Sequence, residues 1–131
     1  LGKRLILKVE DVMKKGKELP TVLPTDTLAK TLIEISSKGL GVALVIEKSN
    51  LKGIFTDGDL RRALNKKIDA LEVPISKLMS KKAKTIMDSS LATEAIEQMQ
   101  QNQIYSLVVI NQKNQPIGLI RMHDLVEAGL V

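Results

Sequence analysis

The sequence predicts an α/β (α+β) fold made of two β-α-β-β-α repeats related by a pseudo-two-fold axis, and three observations predict it. A phrase occurs twice: "GIFTDGDLRRAL" at 53–64 and "GLIRMHDLVEAG" at 118–129 share Gly-x-x-x-x-x-Asp-Leu. Stretches of helical periodicity alternate with short apolar runs, in the same order, in both halves of the chain. At 131 residues and 44% hydrophobic content, the chain suits one compact domain or two small fused halves.

The repeat can be followed from one end to the other. "VEDVMKKG" at 9–16 matches "ISKLMSKK" at 75–82, with Met13 and Met79 in register, and each stretch reads as a short helix. "TVLPTDTLAKTLIEISSKGLG" from Thr21 then matches "TIMDSSLATEAIEQMQQNQIY" from Thr85, aligning Leu28, Ala29 and Ile33 with Leu91, Ala92 and Ile96. In the first copy Leu28, Leu32, Ile33 and Ile35 follow helical spacing behind Asp26 as the expected cap, and Gly39 ends the run. In the second, Leu91, Ala95, Ile96 and Met99 follow Ser89 and Ser90. Strands are expected at "VALVI" (42–46), "GIFT" (53–56), "SLVVI" (106–110) and "IGLIR" (117–121), joined by polar turns "EKSNLK" and "NQKNQP" that suit antiparallel hairpins. Neither half has a comfortable core alone, so the halves are expected to pair, with the cleft between them as the expected ligand site. Residues 1–8 read as a linker from a preceding segment, 9–70 as the first repeat and 71–131 as the second. The opening "LGKRLILKVEDV" lacks the apolar stretch of a signal peptide and looks like a cut from a longer chain.

Composition excludes several function classes. With no cysteine, disulfides and thiolate metal sites are absent, and a cytoplasmic protein is the expectation. His123 is the only histidine, so no zinc site built on histidines and no two-histidine acid–base pair can form within the chain. The net charge of +5 comes from scattered lysines, in pairs at 14–15, 66–67 and 81–82, rather than from a basic stripe. Phe55 and Tyr105 are the only aromatic residues, too few for a base-stacking platform, so no nucleic-acid partner is expected. The longest apolar run, "GLGVALVI" at 39–46, falls far short of the roughly 20 residues that a membrane span needs, so no membrane partner is expected either. The Asp57-Gly58-Asp59 run fails as a calcium loop because Ile68 stands where a bidentate glutamate is required. No metal, no required cofactor and no catalytic constellation is expected in this chain.

The double pattern, V-x-x-V-M opening each half (with Ile75 and Leu78 for the two valines in the second) and an apolar Gly-x-x-Thr-x-x-Asp-Leu ending it, resembles a tandem pair of cystathionine-β-synthase (CBS) domains. More narrowly, "LGKRLILKVEDVM", "GIFTDGDLRRAL" and "MHDLVEAGLV" are similar to the C-terminal regulatory region of arabinose-5-phosphate isomerases. The resemblance implies a regulatory module rather than an enzyme, attached to a preceding sugar isomerase domain that interconverts ribulose 5-phosphate and arabinose 5-phosphate for Kdo and lipopolysaccharide synthesis. It implies a nucleotide or nucleotide-sugar ligand, with CMP-Kdo or an adenine nucleotide as candidates, and a homodimer formed through the CBS helices. The alternative is a purely structural dimerisation module without a small-molecule ligand.

The family's ligand residues transfer by position. Asp59 would accept hydrogen bonds from a ribose diol, and Thr56 would face phosphate at a helix start, jobs suited to a carboxylate and to a hydroxyl beside free N–H groups. Thr56-x-x-Asp59 is equally a capping box, which needs no ligand. In the second copy Arg121 replaces the threonine, so capping is not expected to explain Asp124, and Arg121 could grip a phosphate or sugar carboxylate bidentately. That departure puts a standard adenine-nucleotide site in the second half in question. His123 is expected to be exposed or to face the ligand. The base would lie against Thr21, Val22 and Leu23 in the first half and Thr85, Ile86 and Met87 in the second, all of which could equally be ordinary strand residues. Gly41 and Ser106 stand near the position of the family's usual proline. Arg61 and Arg62 are expected on a solvated face or at a dimer contact, and the five methionines in the core.

Overall fold

The computed structural model describes residues 6–66 and 69–131. Most of the expected 1–8 linker, and Ile68 of the rejected calcium loop, therefore lie outside the described residues. The described residues form two compact units: one is the stretch from 17 to 83, and the other combines residues 6–16 with 84–131.

The contiguous unit holds β2 (Thr21–Val22), α2 (Leu28–Lys38), β3 (Ala43–Glu47), β4 (Asn50–Phe55) and α3 (Asp57–Leu64), followed by 3-10 turns at Ala70–Glu72 and Ile75–Lys77. Its sheet runs β2-β3-β4, with β2 parallel and β4 antiparallel to β3. Helix α2 is capped by Thr27, whose Oγ1 accepts the Lys30 N–H at 3.2 Å, and not by Asp26. Asp26 instead accepts the Leu23 N–H at 2.8 Å, closing the turn that precedes the helix. Gly39 ends α2 in the left-handed region at φ 71°, its N–H bonded to the Ile35 carbonyl, a conformation that glycine adopts without a Cβ penalty. Leu28, Leu32 and Ile35 face the core, whereas Ile33 is 70% exposed, one position off the apolar stripe. Val22, Leu28, Ala43, Val45, Phe55, Ala63, Ala70 and Ile75 form the core of this unit.

The second unit opens with α1 (Val9–Val12) and β1 (Lys14–Lys15) and resumes with β5 (Thr85–Met87), α4 (Ala92–Asn102), β6 (Ser106–Ile110), β7 (Pro116–Arg121) and α5 (Met122–Glu127). Its sheet order is β1-β7-β6-β5. Helix α4 begins at Ala92, with Leu91 in the cap position and no side-chain cap, so Ala92 occupies the place that Leu28 holds in α2, and neither Ser89 nor Ser90 caps it. Gln103 takes the left-handed C-terminal role of Gly39 at φ 54°. The core collects Val9, Ile86, Ala92, Ala95, Met99, Leu107, Val109, Ile120 and Leu125.

The expected strands and hairpins are present, except that β4 begins at Asn50, inside the expected 47–52 turn, and ends at Phe55, leaving Thr56 to cap α3, and matching irregularities recur. Both hairpins shift register at equivalent places, between Val45 and Ile46 and between Val109 and Ile110. Gly53 lies opposite Val45, and Gly118 opposite Val109. A Cβ on Gly53 would come within 2.5 Å of the Ser80 carbonyl and 2.8 Å of Met79 Sδ. One on Gly118 would come within 2.5 Å of Met13 Sδ and 3.0 Å of the Lys14 carbonyl. Each repeat glycine is thus a place where the Met-bearing segment crosses the sheet closely, which accounts for half of the Gly-x-x-x-x-x-Asp phrase.

Candidate functional site

The other half of the phrase, the aspartate, is buried in both copies. Asp59 is 2% exposed at the start of α3 and has four donors. The Thr56 N–H reaches Oδ2 at 2.9 Å and the Thr56 hydroxyl reaches the same oxygen at 3.1 Å. Arg62 Nη2 and the Ser80 hydroxyl reach Oδ1 at 2.5 and 2.6 Å. Burial pushes this carboxyl up, but the Ser80 hydroxyl, the Thr56 N–H, the Arg62 guanidinium and the Thr56 hydroxyl outweigh it and hold the group below the ordinary carboxylate value. An ionised carboxylate offers about four acceptor positions, so these four donors occupy it fully.

Asp124 is built the same way from different chemistry. The Arg121 N–H donates to Oδ2 at 2.9 Å, while the Arg121 guanidinium reaches Oδ2 through Nε at 3.2 Å and Oδ1 through Nη2 at 2.9 Å. Lys14 Nζ lies 3.8 Å from Oδ1. The return bond from the carboxylate to the first N–H of the turn is therefore present in both copies, and capping does explain Asp124, contrary to the expectation from the missing threonine. Arg121 spends its fork on Asp124. His123 projects outward beside the buried Asp124 and pairs with Glu127, Nε2 to Oε1 at 2.8 Å.

Two residues of these clusters carry no site signal in the sequence. Ser80 and Lys14 directly follow Met79 and Met13, and pairing across the sheet brings them to the aspartates: Ser80 exchanges backbone bonds with Ile54 at 2.8 and 2.9 Å, and Lys14 sits opposite Leu119. Their equivalence was available in the repeat alignment, but their destination was not. Arg62, expected on a solvated face or at a dimer contact, is 67% exposed and from there also reaches Asp59 as its i, i+3 partner.

The strand residues fall into two groups. In the contiguous unit, Thr21, Val22 and Leu23 line a shallow hollow of about 360 Å³ together with Asp26, Lys30, Glu34 and Ile46. The lining includes neither Thr56 nor Asp59, although in register Thr21 pairs with Leu44, next to Ala43, whose partner Phe55 precedes Thr56. Thr56 and Asp59 are thus brought together, but they do not line the hollow that holds Thr21–Leu23. In the other unit Thr85 and Met87 flank the buried Ile86 on β5, which pairs with Val108–Ile110 of β6, and the Thr85 carbonyl accepts from Gln98 Nε2 at 3.0 Å. Among the described residues no group of three His, Cys, Asp or Glu side chains could hold a metal ion, and no helix is long and apolar enough to cross a membrane.

Comparison with known proteins agrees with this architecture. Over 132 residues the chain is 48% identical to arabinose 5-phosphate isomerase KdsD of Pseudomonas aeruginosa, an alignment that takes in all of this chain and 40% of that protein. The chain thus spans well under half the length of that relative. Among solved structures, CBSX2 in complex with AMP superposes with a TM-score of 0.82 at 21% identity, over 95% of this chain and 96% of that one. The CBS domain protein PAE2072 of Pyrobaculum aerophilum, complexed with AMP, gives 0.81 at 18% identity, over 95% and 100%. At such identities the likeness concerns the fold. The CBS domain model matches residues 9–66 and 75–130, which take in both glycine–aspartate phrases and the segments that cross them, and the chain belongs to the CBS domain family.

Proposed function

We propose that this chain is the regulatory module of an arabinose 5-phosphate isomerase and that it binds a nucleotide or nucleotide-sugar, with CMP-Kdo, the activated product of the Kdo pathway, as the effector. The observation that carries the reading is the 48% identity, from end to end of this chain, with 40% of such an isomerase. The AMP complexes of two structural neighbours support a nucleotide as the ligand class. On this reading the module is cytoplasmic, has no catalytic residue of its own and dimerises through its helices. The net charge of +5 suits an anionic effector. Thr56, Asp59, Arg121, His123 and Asp124 would meet its polar parts, and Thr21–Leu23 and Thr85–Met87 its base. A ribose diol would have to displace two of Asp59's donors; Arg62, 67% exposed, is the one most readily released to water.

A specific observation favours the structural alternative: Asp59 takes four hydrogen bonds and Asp124 three from within the chain, so neither requires a ligand. A thermal-shift series with AMP, ATP, CMP and CMP-Kdo separates the two readings. A ligand held by the folded state alone, at a hundred times its dissociation constant, adds about 2.7 kcal/mol of stability. Absence of any shift at millimolar ligand, with a dimer by sedimentation, rejects the effector and leaves the scaffold.

A further inference from the structure

The two compact units do not coincide with the two sequence repeats. The opening of the first repeat, residues 9–15, is built into the unit formed by the second. Val9 is fully buried in that core, with Leu7, Val12 and Met13 packed against it. The Val9 N–H donates to the Ser90 carbonyl at 2.8 Å, the Glu10 N–H to the Asp88 carbonyl at 3.1 Å, and the Ala92 N–H to the Leu7 carbonyl at 2.8 Å. Strand β1 then pairs with β7 at Lys14–Leu119 and Lys15–Gly118. The trade is reciprocal: Ile75 is buried with Leu28 and Phe55, its N–H donates to the Asp26 carbonyl at 2.7 Å, and Ser80 joins β4 through Ile54. Residues 17–83 are therefore an insert, joined to the discontinuous unit by the chain at 16–17 and at 83–84.

We propose that residues 6–16 are an anchor that fastens whatever the chain carries ahead of them to the second repeat. A change of state in the unit containing 84–131 then acts on that attachment directly, through a buried core and a strand pairing. The anchor itself is independent of any ligand; only the identity of the attached domain rests on the proposed function.

Two matched substitutions in the full chain test it: Val109→Ala and Val45→Ala, each removing two methyl groups from a fully buried valine that lies opposite its repeat glycine. Amide hydrogen exchange is read at Val9, Glu10 and Met13, whose N–H groups donate to Ser90, Asp88 and Val9 carbonyls. Because protection follows the cooperative unit that holds an amide, Val109→Ala speeds exchange there about fivefold or more, and Val45→Ala changes it by less than about twofold. Should Val109→Ala fail to fold, Ile120→Val in the same core serves as the milder perturbation. Equal acceleration by both substitutions, or acceleration by Val45→Ala alone, overturns the anchor. Neither result depends on the identity of an effector, so the regulatory reading fails or stands separately.

Discussion

Adding one methyl group at each repeat glycine should expose the difference between a backbone crossing and a side-chain crossing. In Gly53→Ala the new Cβ falls 2.5 Å from the Ser80 carbonyl oxygen, which is itself held by the Ile54 N–H at 2.9 Å. Relief requires the 80 segment to lift, loosening both Ser80–Ile54 backbone bonds and the Ser80 hydroxyl bond to Asp59. Two backbone bonds at about 0.5–1.5 kcal/mol each, with overpacking of 1–3 kcal/mol overlapping them, give an expected loss of roughly 2–4 kcal/mol. In Gly118→Ala the closest atom is Met13 Sδ at 2.5 Å, and the Lys14 carbonyl is further off at 3.0 Å. A methionine can swing away through three rotatable bonds, so the loss should be about 1–2 kcal/mol. Urea denaturation of the two variants measures both, provided that the slope with denaturant is unchanged. Adding Met13→Ala to Gly118→Ala should cost less than the sum of the single changes, while Met79→Ala should leave most of the Gly53→Ala loss in place. A Gly53→Ala loss equal to or smaller than that of Gly118→Ala would refute the assignment of the backbone as the unyielding contact.

The remaining predictions concern caps, charge and ligand. Asp59 has its pKa lowered by folding, so the stability it contributes is present above the unfolded value of about 3.9 and is lost as pH falls through the lower folded value. Asp59→Asn should therefore destabilise the chain at pH 7 and converge toward the parent in urea midpoints below about pH 4; a constant gap would contradict this. Ser80→Ala removes a charge-assisted bond of 2.6 Å and should cost about 1.5–3 kcal/mol at pH 7, read from the same midpoints. Thr27→Ala should cost about 1 kcal/mol as the cap of α2, and Leu91→Ala, at a cap position with no side-chain bond, should change little by that mechanism; circular dichroism melts distinguish them. Sugar-phosphate isomerisation assayed on these 131 residues alone should be nil.

Much of this molecule was legible in its residues because the duplication supplied each signal twice. The strand at 106–110 is read to the residue, and the hairpins follow from apolar runs separated by polar turns. Local chemistry misled where two residues competed for one job: Asp26 and Thr27 both suit a helix cap, and only the backbone path decided that Asp26 closes the preceding turn. At Asp124 the side-chain half of the capping box was absent from the sequence, yet its other half needs only a main-chain N–H, which every residue except proline has.

Which segments share a core was a tertiary decision. The repeat aligns Val9 with Ile75 but does not state which core either joins, because an apolar side chain gains nearly the same free energy in either of two similar cores. Backbone pairing at Lys14–Leu119 and at Ser80–Ile54 made that choice, since hydrogen bonds are directional where burial is not. It also delivered Ser80 and Lys14 to the two aspartates, and so fixed the charge around each.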